Sequence, residues 1–324
     1  MKAFHLRSEG GASVLEPGDV PVPEPKAGEV LVRIRAASLN RGEFLTARAS
    51  AQPKPAGQEG AGEVAKVGPG GGTPHFKPGD RVMGRCGGAF AEYVLMDVRE
   101  AVPVPERLSW EEAASVPLVF MVVHDMLIAQ GKLQQGEWLL VTAVSSGVGV
   151  ASVQVGKMLG AKVIGTSGSP GKLAKLEAIG LDIGIPVRGP GFADAVMTAT
   201  AGKGANLVVN NVGGTVFAEC MRSLAFEGRF ATVGTVDGVL RAEIDIEALH
   251  SKRLRLFGVS NRLRTPEMRA ETARGFVADV LPAIADGRIQ PVIDRLFPFE
   301  ALPDAKRYME SNAHLGKIVV RLER

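Results

Sequence analysis

Apolar and polar positions alternate in the first hundred residues, and turn-forming residues recur at short intervals. Residues 30–36 and 62–68 alternate in this way, which is typical of strands with one buried face. The turn sequence of residues 77–80 leads into a predicted short strand at residues 81–83, and residues 90–95 are a further candidate strand. The pattern predicts short strands in a small barrel or sandwich.

From about residue 110 the pattern changes to helices that alternate with strands. Ser109 and Glu112 have the spacing of a capping box, which predicts a helix that begins at Trp110 and continues past Pro117. The predicted strands that follow are residues 138–143, 162–165, 207–210, 229–233 and 254–259, and the predicted helices are residues 147–159, 172–179 and 215–224. This alternation predicts βαβ units and a doubly wound parallel sheet, so the fold class is α/β.

The last sixty residues again have a different pattern. The predicted elements are a long helix at residues 267–286, a strand at 291–298, a helix at 303–311 and a strand at 316–322. The α/β segment is thus flanked on both sides by other material. We therefore expect the two ends of the chain to pack together as one discontinuous domain.

Composition indicates a globular protein with two domains. The chain has 324 residues, 45% of them hydrophobic and 23% charged, with a formal net charge of +3. This charge is too small to indicate binding to nucleic acid or to a membrane surface. The N-terminus has no apolar region typical of a secretory signal, and the longest apolar run, residues 116–123, is too short to span a bilayer.

Cysteine usage predicts a reducing compartment. The two cysteines, Cys86 and Cys220, lie far apart and belong to no CxxC or Cys/His cluster. A disulfide framework and a structural zinc site are therefore not expected, and we predict a cytoplasmic location.

The candidate chemistry begins at the turn between the strand at residues 138–143 and the next helix. Ser146, Gly147, Val148 and Gly149 lie where glycines let the backbone approach a pyrophosphate and where a helix N-terminus offers free N–H groups. The strict GxGxxG pattern is not met, since Val144 and Ser146 occupy its first two glycine positions. A purely structural strand-to-helix turn remains the alternative.

The end of the second strand bears on the choice of cofactor. In an NAD site an acidic residue about 20 positions after the glycine loop binds the ribose hydroxyls. Here Thr166 and Ser167 occupy that place, and Lys172 follows. Small hydroxyls and a cation would accept a 2′-phosphate, so NADPH is favoured over NADH. Alternatively, Lys172 is a solvated residue of its helix; Arg188 could supply a second positive group.

The chain as a whole resembles the medium-chain dehydrogenase/reductase superfamily, in particular its zinc-independent quinone oxidoreductase branch, which includes zeta-crystallin. The segments that carry the resemblance are residues 37–43, 57–62, 76–82, 145–149, 160–165 and 316–320. The resemblance implies a β-rich, barrel-like (GroES-like) catalytic domain and a Rossmann-type NADPH-binding domain. We predict that the catalytic domain comprises residues 1–120 and 262–324 and that the NADPH-binding domain comprises residues 121–261. The resemblance also implies a homodimer.

Zinc is not expected in this chain. Zinc-dependent members of the superfamily carry a cysteine in the segment matching residues 38–43 and a Gly-His-Glu matching residues 57–59. Asn40 and Gln58 stand at the ligand positions here, and neither residue type is a usual zinc ligand. Without a Lewis acid, oxidation of simple alcohols is disfavoured, whereas reduction of an electrophilic acceptor remains possible.

The resemblance also implies roles for residues near the substrate. It places Asn40, our catalytic candidate, and also Arg41 near the nicotinamide ribose and the substrate. The alternative for Asn40 is a turn residue before a helix. Glu43 is a proton relay or a helix-capping carboxylate. A tyrosine found in some relatives is replaced by Leu45, so no side chain is assigned as proton donor.

Loops after the later strands complete the predicted cofactor site by resemblance. The residues expected to line the nicotinamide half of the cofactor site are Asn211, Val212, Gly213, Gly234, Thr235 and Val236. Val259 and Asn261 are expected to face the reacting ring of the nicotinamide.

Together these features predict an NADPH-dependent reductase of quinones or α,β-unsaturated carbonyl compounds. An enoyl-thioester reductase is the nearest alternative. A non-enzymatic, crystallin-like NADPH-binding protein is an alternative of another class, and a simple alcohol dehydrogenase ranks below all three. The expected partners are a small-molecule substrate and a second copy of the chain.

Overall fold

The structure, a computed structural model, describes residues 1–9, 12–46, 54–70 and 76–322. Its contacts divide the chain into two compact units. Unit 1 comprises Met1–Val119, Arg269–Val277 and Gln290–Arg324, and unit 2 comprises Phe120–Met268 and Ala278–Ile289. Residues 262–268 and 278–289, which the predicted limits assign to the first domain, thus group with unit 2. The domain limits themselves stay a prediction.

Unit 1 contains two sheets. Numbered in chain order, its strands are β1 (Lys2–Glu9), β2 (Ala12–Asp19), β3 (Glu29–Ser38), β4 (Lys54–Pro55), β5 (Glu59–Val67), β6 (Arg81–Arg85), β7 (Tyr93–Asp97), β8 (Ala101–Pro103), β15 (Ile293–Pro298) and β16 (Lys317–Arg321). One sheet has the order β2-β1-β4, and the other has the order β15-β16-β3-β5-β6-β8, with β7 also paired to β3. The C-terminal strand β16 lies antiparallel to β3, so strands from the N-terminal and C-terminal segments of the chain share this sheet.

The core of unit 1 follows from the alternation in β3. Val30, Val32 and Ile34 are buried in one cluster with Val64 of β5 and Ile318 of β16. The helices of this unit are α1 (Arg41–Thr46), α2 (Trp110–Ala114), α11 (Leu302–Glu310) and the 3-10 turn Phe299–Ala301. Burial of the apolar face of β3 therefore holds the strands of the N-terminal and C-terminal segments together.

Unit 2 is built on one six-stranded parallel sheet. Its strands are β9 (Trp138–Val141), β10 (Lys162–Ser167), β11 (Ile183–Pro186), β12 (Ala205–Asn210), β13 (Leu224–Thr232) and β14 (Arg255–Gly258). Their spatial order is β11-β10-β9-β12-β13-β14. This is the 3-2-1-4-5-6 order of a doubly wound dinucleotide-binding fold, so the predicted fold class is confirmed. The strand order reverses between β9 and β12.

Helices connect the strands of this sheet. They are α4 (Gly147–Met158), α5 (Pro170–Glu177), α6 (Ala193–Ala199), the 3-10 turn Gly214–Val216, α7 (Phe217–Arg222), α8 (Ile246–Ser251) and α10 (Leu281–Ala285). The helices α3 (Pro117–Val123) and α9 (Pro266–Asp279) have residues in both units, and a π-helix, His124–Ala129, follows α3. No helix among the described residues is long and apolar enough to cross a membrane.

Two long helices predicted from the sequence are interrupted. The first ends at Ala114 and a new helix begins at Pro117, because proline lacks the N–H that would continue the first one. The second ends at Asp279, and α10 begins at Leu281 with Pro282 in its first turn. The capping box is confirmed at Ser109, which exchanges both of its expected hydrogen bonds with the residue three positions later.

Candidate functional site

The switch point of the parallel sheet is braced by a pair of residues at the ends of β9 and β12. The Asn211 N–H donates to Thr142 Oγ1 at 2.9 Å, and Asn211 Nδ2 donates to the Thr142 carbonyl oxygen at 2.9 Å. Both residues are buried. Ala143, the next residue, has φ of +47°, which a residue with a side chain rarely adopts. Asn211, which the sequence predicts to line the cofactor site, thus lies directly after β12 at this switch point.

The glycine loop leads into the N-terminus of α4. Ser146 is the N-cap residue, and its Oγ accepts the Gly149 N–H at 3.1 Å. The N–H groups of Gly147 and Val148 lie in the first turn, where no acceptor within the helix is available. A Cβ atom on Gly149 would overlap the Val144 carbonyl oxygen, so only glycine allows this close approach between the helix and the turn after β9. The first turn therefore offers N–H groups that suit a pyrophosphate.

The end of β10 carries the two predicted hydroxyls. Thr166 and Ser167 are 5% and 8% exposed, and Ser167 Oγ accepts the Ser169 N–H at 3.3 Å. Lys172 is half-buried in the first turn of α5, and its N–H donates to the Ser169 carbonyl oxygen. Residues 161–176 include no acidic residue.

Arg188 lies beside this strand end. Ser167 pairs with Pro186 in the parallel register, which brings the segment after β11 to the same edge. A Cβ atom on Gly168 would lie 2.9 Å from Arg188 Nε, so the exposed Arg188 side chain lies against that glycine. The structure thus brings Arg188 and the hydroxyl-bearing strand end together, which is the chemistry that a 2′-phosphate needs.

The loops after β12 and β13 are joined by Asp237, which sequence reasoning missed. Its Oδ2 accepts the Thr215 N–H at 2.8 Å, its Oδ1 accepts the Val239 N–H at 2.9 Å, and its own N–H donates to the Val212 carbonyl oxygen at 3.1 Å. Gly213 has φ of +132°, and a Cβ atom there would overlap the Asp237 carboxylate. The two loops therefore hold each other in place.

The other predicted residues of this half lie on the same loops or the next one. A Cβ atom on Gly234 would be 2.6 Å from the Asn211 carbonyl oxygen, so these two predicted positions meet. Thr235 and Val236 are exposed. Val259 is buried after β14 and Asn261 is half-buried.

In unit 1, Asn40 belongs to a buried polar cluster. Asn40 Nδ2 donates to Glu59 Oε1 at 2.7 Å, and Lys317 Nζ donates to Asn40 Oδ1 at 2.8 Å and to Glu59 Oε1 at 2.9 Å. Ser38 Oγ also donates to Glu59 Oε1, at 2.6 Å, and the Leu118 N–H donates to Glu59 Oε2 at 2.7 Å. The Asn40 side chain is therefore bonded to charged groups, not to the backbone of the following helix.

The side chains of Arg41 and Glu43 have partners outside this cluster. The Arg41 guanidinium donates to the Met309 carbonyl oxygen at 2.6 Å and to Asn312 Oδ1 at 2.7 Å, at the end of α11. Glu43 is buried and its carboxyl accepts the Gly57 N–H. Burial, and to a lesser extent the nearby Glu59 carboxylate, raises the pKa of Glu43 to about 8.

Sequence reasoning also missed Lys317 as a site residue. It is the first residue of β16, directly before an apolar stretch, and it is 5% exposed. Glu59 begins β5 in the same manner and is fully buried. A charged residue at the start of a strand, directly before small or apolar residues, was the available signal, because buried charges are normally paired.

The described residues of unit 1 do not fit a zinc ion. The described residues contain no group of three His, Cys, Asp or Glu side chains that could hold a metal. At the predicted ligand position, both polar atoms of Asn40 are already bonded to charged partners, and both oxygens of Glu59 accept hydrogen bonds. Lys317 already supplies the positive charge that balances this carboxylate.

Two domain families match the sequence. Residues 26–106 match the family described as alcohol dehydrogenase GroES-like domain, and residues 185–320 match the family described as zinc-binding dehydrogenase. A curated relative, the pikromycin polyketide synthase component PikAII of Streptomyces venezuelae, is 34% identical over 314 residues, which are 94% of this chain. The chain spans only 8% of the length of that relative.

Solved structures match the chain over nearly its whole length. An NAD-dependent alcohol dehydrogenase has 31% identity and a TM-score of 0.88, with 100% of both chains covered. Escherichia coli quinone oxidoreductase complexed with NADPH has 25% identity and a TM-score of 0.88, covering 99% of this chain and 100% of that one. The CurK enoyl reductase has 26% identity and a TM-score of 0.84, with 99% of each chain covered. The two-unit fold, the sheet order and these matches show that the chain belongs to the medium-chain dehydrogenase/reductase superfamily of oxidoreductases.

Proposed function

We propose that the protein is a zinc-independent oxidoreductase that transfers a hydride from NADPH to a quinone or an α,β-unsaturated carbonyl compound. The observation that carries the cofactor assignment is the end of β10, where two hydroxyl residues and Arg188 lie together without an acidic residue. The complex of NADPH with the similar quinone oxidoreductase supports the same choice. When bound, NADPH supplies the hydride from its nicotinamide ring.

The residues of unit 2 have distinct roles in this proposal. The first turn of α4, from Ser146 to Gly149, binds the pyrophosphate through its N–H groups. Thr166, Ser167, Lys172 and Arg188 bind the 2′-phosphate. The loops at the carboxyl ends of the later strands hold the nicotinamide half; their proposed residues are Asn211, Val212, Gly213, Gly234, Thr235, Val236, Val259 and Asn261.

Asn40 is the proposed catalytic residue of unit 1. An amide nitrogen carries two N–H groups, and Glu59 takes one of them. The second is a suitable donor to a carbonyl oxygen, on which negative charge develops as the hydride arrives. This chemistry needs no metal, in agreement with the poor fit of the cluster to zinc. The accompanying proton comes from water.

An enoyl-thioester reductase is the second candidate, since two comparisons favour it. The similarity to a polyketide synthase covers 94% of this chain, and the CurK structure is named an enoyl reductase. Its acceptor is also a carbon–carbon double bond conjugated to a carbonyl group, so Asn40 would have the same role.

Steady-state oxidation of NADPH distinguishes these candidates. We expect turnover with 9,10-phenanthrenequinone or a 2-alkenal, and a kcat lowered by about a hundredfold in Asn40→Ala if its amide stabilises the developing charge. Turnover of crotonyl thioester alone would establish the second candidate instead. NADPH binding without turnover of any acceptor would contradict both and would support the non-enzymatic alternative.

We also propose that the protein is a homodimer. The strand β14 lies at the end of the six-stranded sheet, and among the described residues only β13 pairs with it. The free side of an edge strand offers backbone N–H and C=O groups to a second sheet. Light scattering after gel filtration would give twice the mass of the chain, and the mass of a monomer would contradict the proposal.

A further inference from the structure

The ion pair between Glu59 and Lys317 is completely enclosed, and the proposed function does not use it directly. Glu59 is 0% exposed and Lys317 is 5% exposed. Lys317 Nζ has three N–H groups, and the structure gives it three acceptors, namely the Leu39 carbonyl oxygen at 3.0 Å, Asn40 Oδ1 and Glu59 Oε1. The lysine is therefore fully committed to its neighbours and has no N–H left for a substrate.

Stability alone does not account for such a pair. Removing two charges from water is costly, and a well-packed apolar pair of similar volume is often as stable or more stable. A buried ion pair is therefore weak evidence of a stabilising role, and its effect on neighbouring groups has to be considered.

The neighbouring group that the pair controls is the amide of Asn40. Its oxygen faces the ammonium and its nitrogen faces the carboxylate. The reversed amide would place the NH2 group against the ammonium of Lys317 and the oxygen against the carboxylate of Glu59. Both contacts would be repulsive, so the two charges permit only one orientation of Asn40.

Asn40 is also more exposed than the other three polar side chains of the cluster. Ser38, Glu59 and Lys317 are buried, whereas Asn40 is half-buried. The two charges are thus buried, and the partly exposed residue of the cluster carries a neutral amide. The nearby ammonium draws electron density toward the amide oxygen, which strengthens the amide N–H groups as donors.

We propose that Lys317, together with Glu59, is a positioning residue for hydride transfer, because it fixes and polarises the Asn40 amide that donates to the carbonyl oxygen of the acceptor. This inference rests on the proposed function. In the step, the hydride brings two electrons to the acceptor carbon and its conjugated carbonyl oxygen becomes negative. The Asn40 N–H stabilises that oxygen without giving up its proton, and water then protonates the product.

A double-mutant cycle between Lys317 and Asn40 tests this role. Lys317→Met removes the ammonium and keeps most of the side-chain volume. We expect kcat to fall by about tenfold or more, while the Kd for NADPH changes by less than about twofold, because only the geometry of the transferring step is disturbed. In the Asn40→Ala background the same substitution should change kcat by less than about twofold, because the residue through which Lys317 acts is already absent.

Two further variants separate a positioning role from a structural one. Lys306→Met is the matched control, since Lys306 is also ion-paired in unit 1, to Glu310, and lies outside the cluster; it should leave kcat unchanged. The double variant Glu59→Gln/Lys317→Met leaves neither buried charge without its partner. It should therefore fold even if the single variant Lys317→Met fails to fold. It should show the same loss of kcat, with an unchanged circular dichroism spectrum.

Several results would overturn the inference. A kcat within about twofold of the wild type in the folded Lys317 variant would do so. A loss of equal size in the Asn40→Ala background would show that Lys317 acts independently of Asn40. A wild-type protein that oxidises no NADPH with any acceptor would contradict the proposed function itself, and this inference with it.

Discussion

Replacing Glu43 with glutamine should remove a large part of the pH dependence of the stability of unit 1. Glu43 is buried, and its carboxyl accepts a backbone N–H from Gly57. Burial raises its pKa from the ordinary 4.5 to about 8, so the folded protein keeps this carboxyl protonated at neutral pH. Glutamine has nearly the same shape and can accept the same hydrogen bond, but it cannot ionise.

The size of the effect follows from the two pKa values. Between pH 4.5 and about 8 the unfolded chain has released the proton and the folded chain retains it, so stability falls as the pH rises. Each pH unit in this window costs about 1.4 kcal/mol. From pH 5 to pH 8 the wild type should therefore lose about 3–4 kcal/mol that Glu43→Gln does not lose.

The chain offers a specific probe for this measurement. It has two tryptophans, Trp110 in unit 1 and Trp138 in unit 2. In a Trp138→Phe background, fluorescence during urea unfolding reports on unit 1 alone, which avoids assuming that both units unfold together. Titrations at several pH values between 5 and 8 give the free energy of unfolding of both proteins.

The comparison has a clear control and a clear contradiction. Glu271→Gln changes a carboxylate that is already exposed on α9, and its curve should run parallel to that of the wild type. If the curve for Glu43→Gln also runs parallel to the wild type over the whole pH range, burial does not keep Glu43 protonated and the reasoning is wrong.

Two further substitutions test the contacts that hold the loops of unit 2 in place. Glu219 accepts three backbone N–H bonds at the start of α6 and one bond from Arg222. Glu219→Ala should therefore destabilise unit 2 by about 2–4 kcal/mol, measured by Trp138 fluorescence during urea unfolding in a Trp110→Phe background. Burial alone would raise the pKa of Glu219, but the hydrogen bonds have the larger combined effect, and the pKa is lowered. The stabilisation that the Glu219 carboxylate provides should therefore be lost as the pH falls through this lowered pKa. Gly213→Ala should cost about 1–3 kcal/mol and weaken NADPH binding in a fluorescence titration, because its Cβ meets Asp237 and its φ is positive. Gly171→Ala, whose Cβ would meet nothing within 4 Å, should leave both quantities unchanged.

The parts of the fold that the sequence predicted are those specified locally. The strands of unit 2 are short apolar runs between helical segments, and the helix that follows β9 begins at the serine and glycines of its own loop. β2 was missed because it contains Pro17 and Gly18 and shows no clear alternation; its pairing with β1 makes it a strand. Prolines 117 and 282 interrupted helices whose apolar pattern is continuous, because periodicity does not register a missing N–H.

The candidate site likewise has parts that are specified locally and parts that depend on tertiary contacts. The glycine loop and the two hydroxyl residues at the end of β10 are each a short continuous segment, so each could be recognised in the sequence. The contact between Glu59 and Lys317 joins residues 258 positions apart. It forms only because β16 pairs with β3 and β3 pairs with β5, and this tertiary arrangement cannot be derived from either residue's local sequence.

The most direct test of the central claim is the ratio of the Kd values for NADH and NADPH, measured by nicotinamide fluorescence on the wild type and on Arg188→Ala. The account predicts that NADPH binds at least about tenfold more tightly, since a charge-assisted hydrogen bond to the 2′-phosphate contributes about 1.5–3 kcal/mol. It also predicts that Arg188→Ala lowers this ratio while the Kd for NADH stays the same. Equal affinities in the wild type, or a ratio that survives in both Arg188→Ala and Lys172→Ala, would contradict the assignment of the 2′-phosphate site.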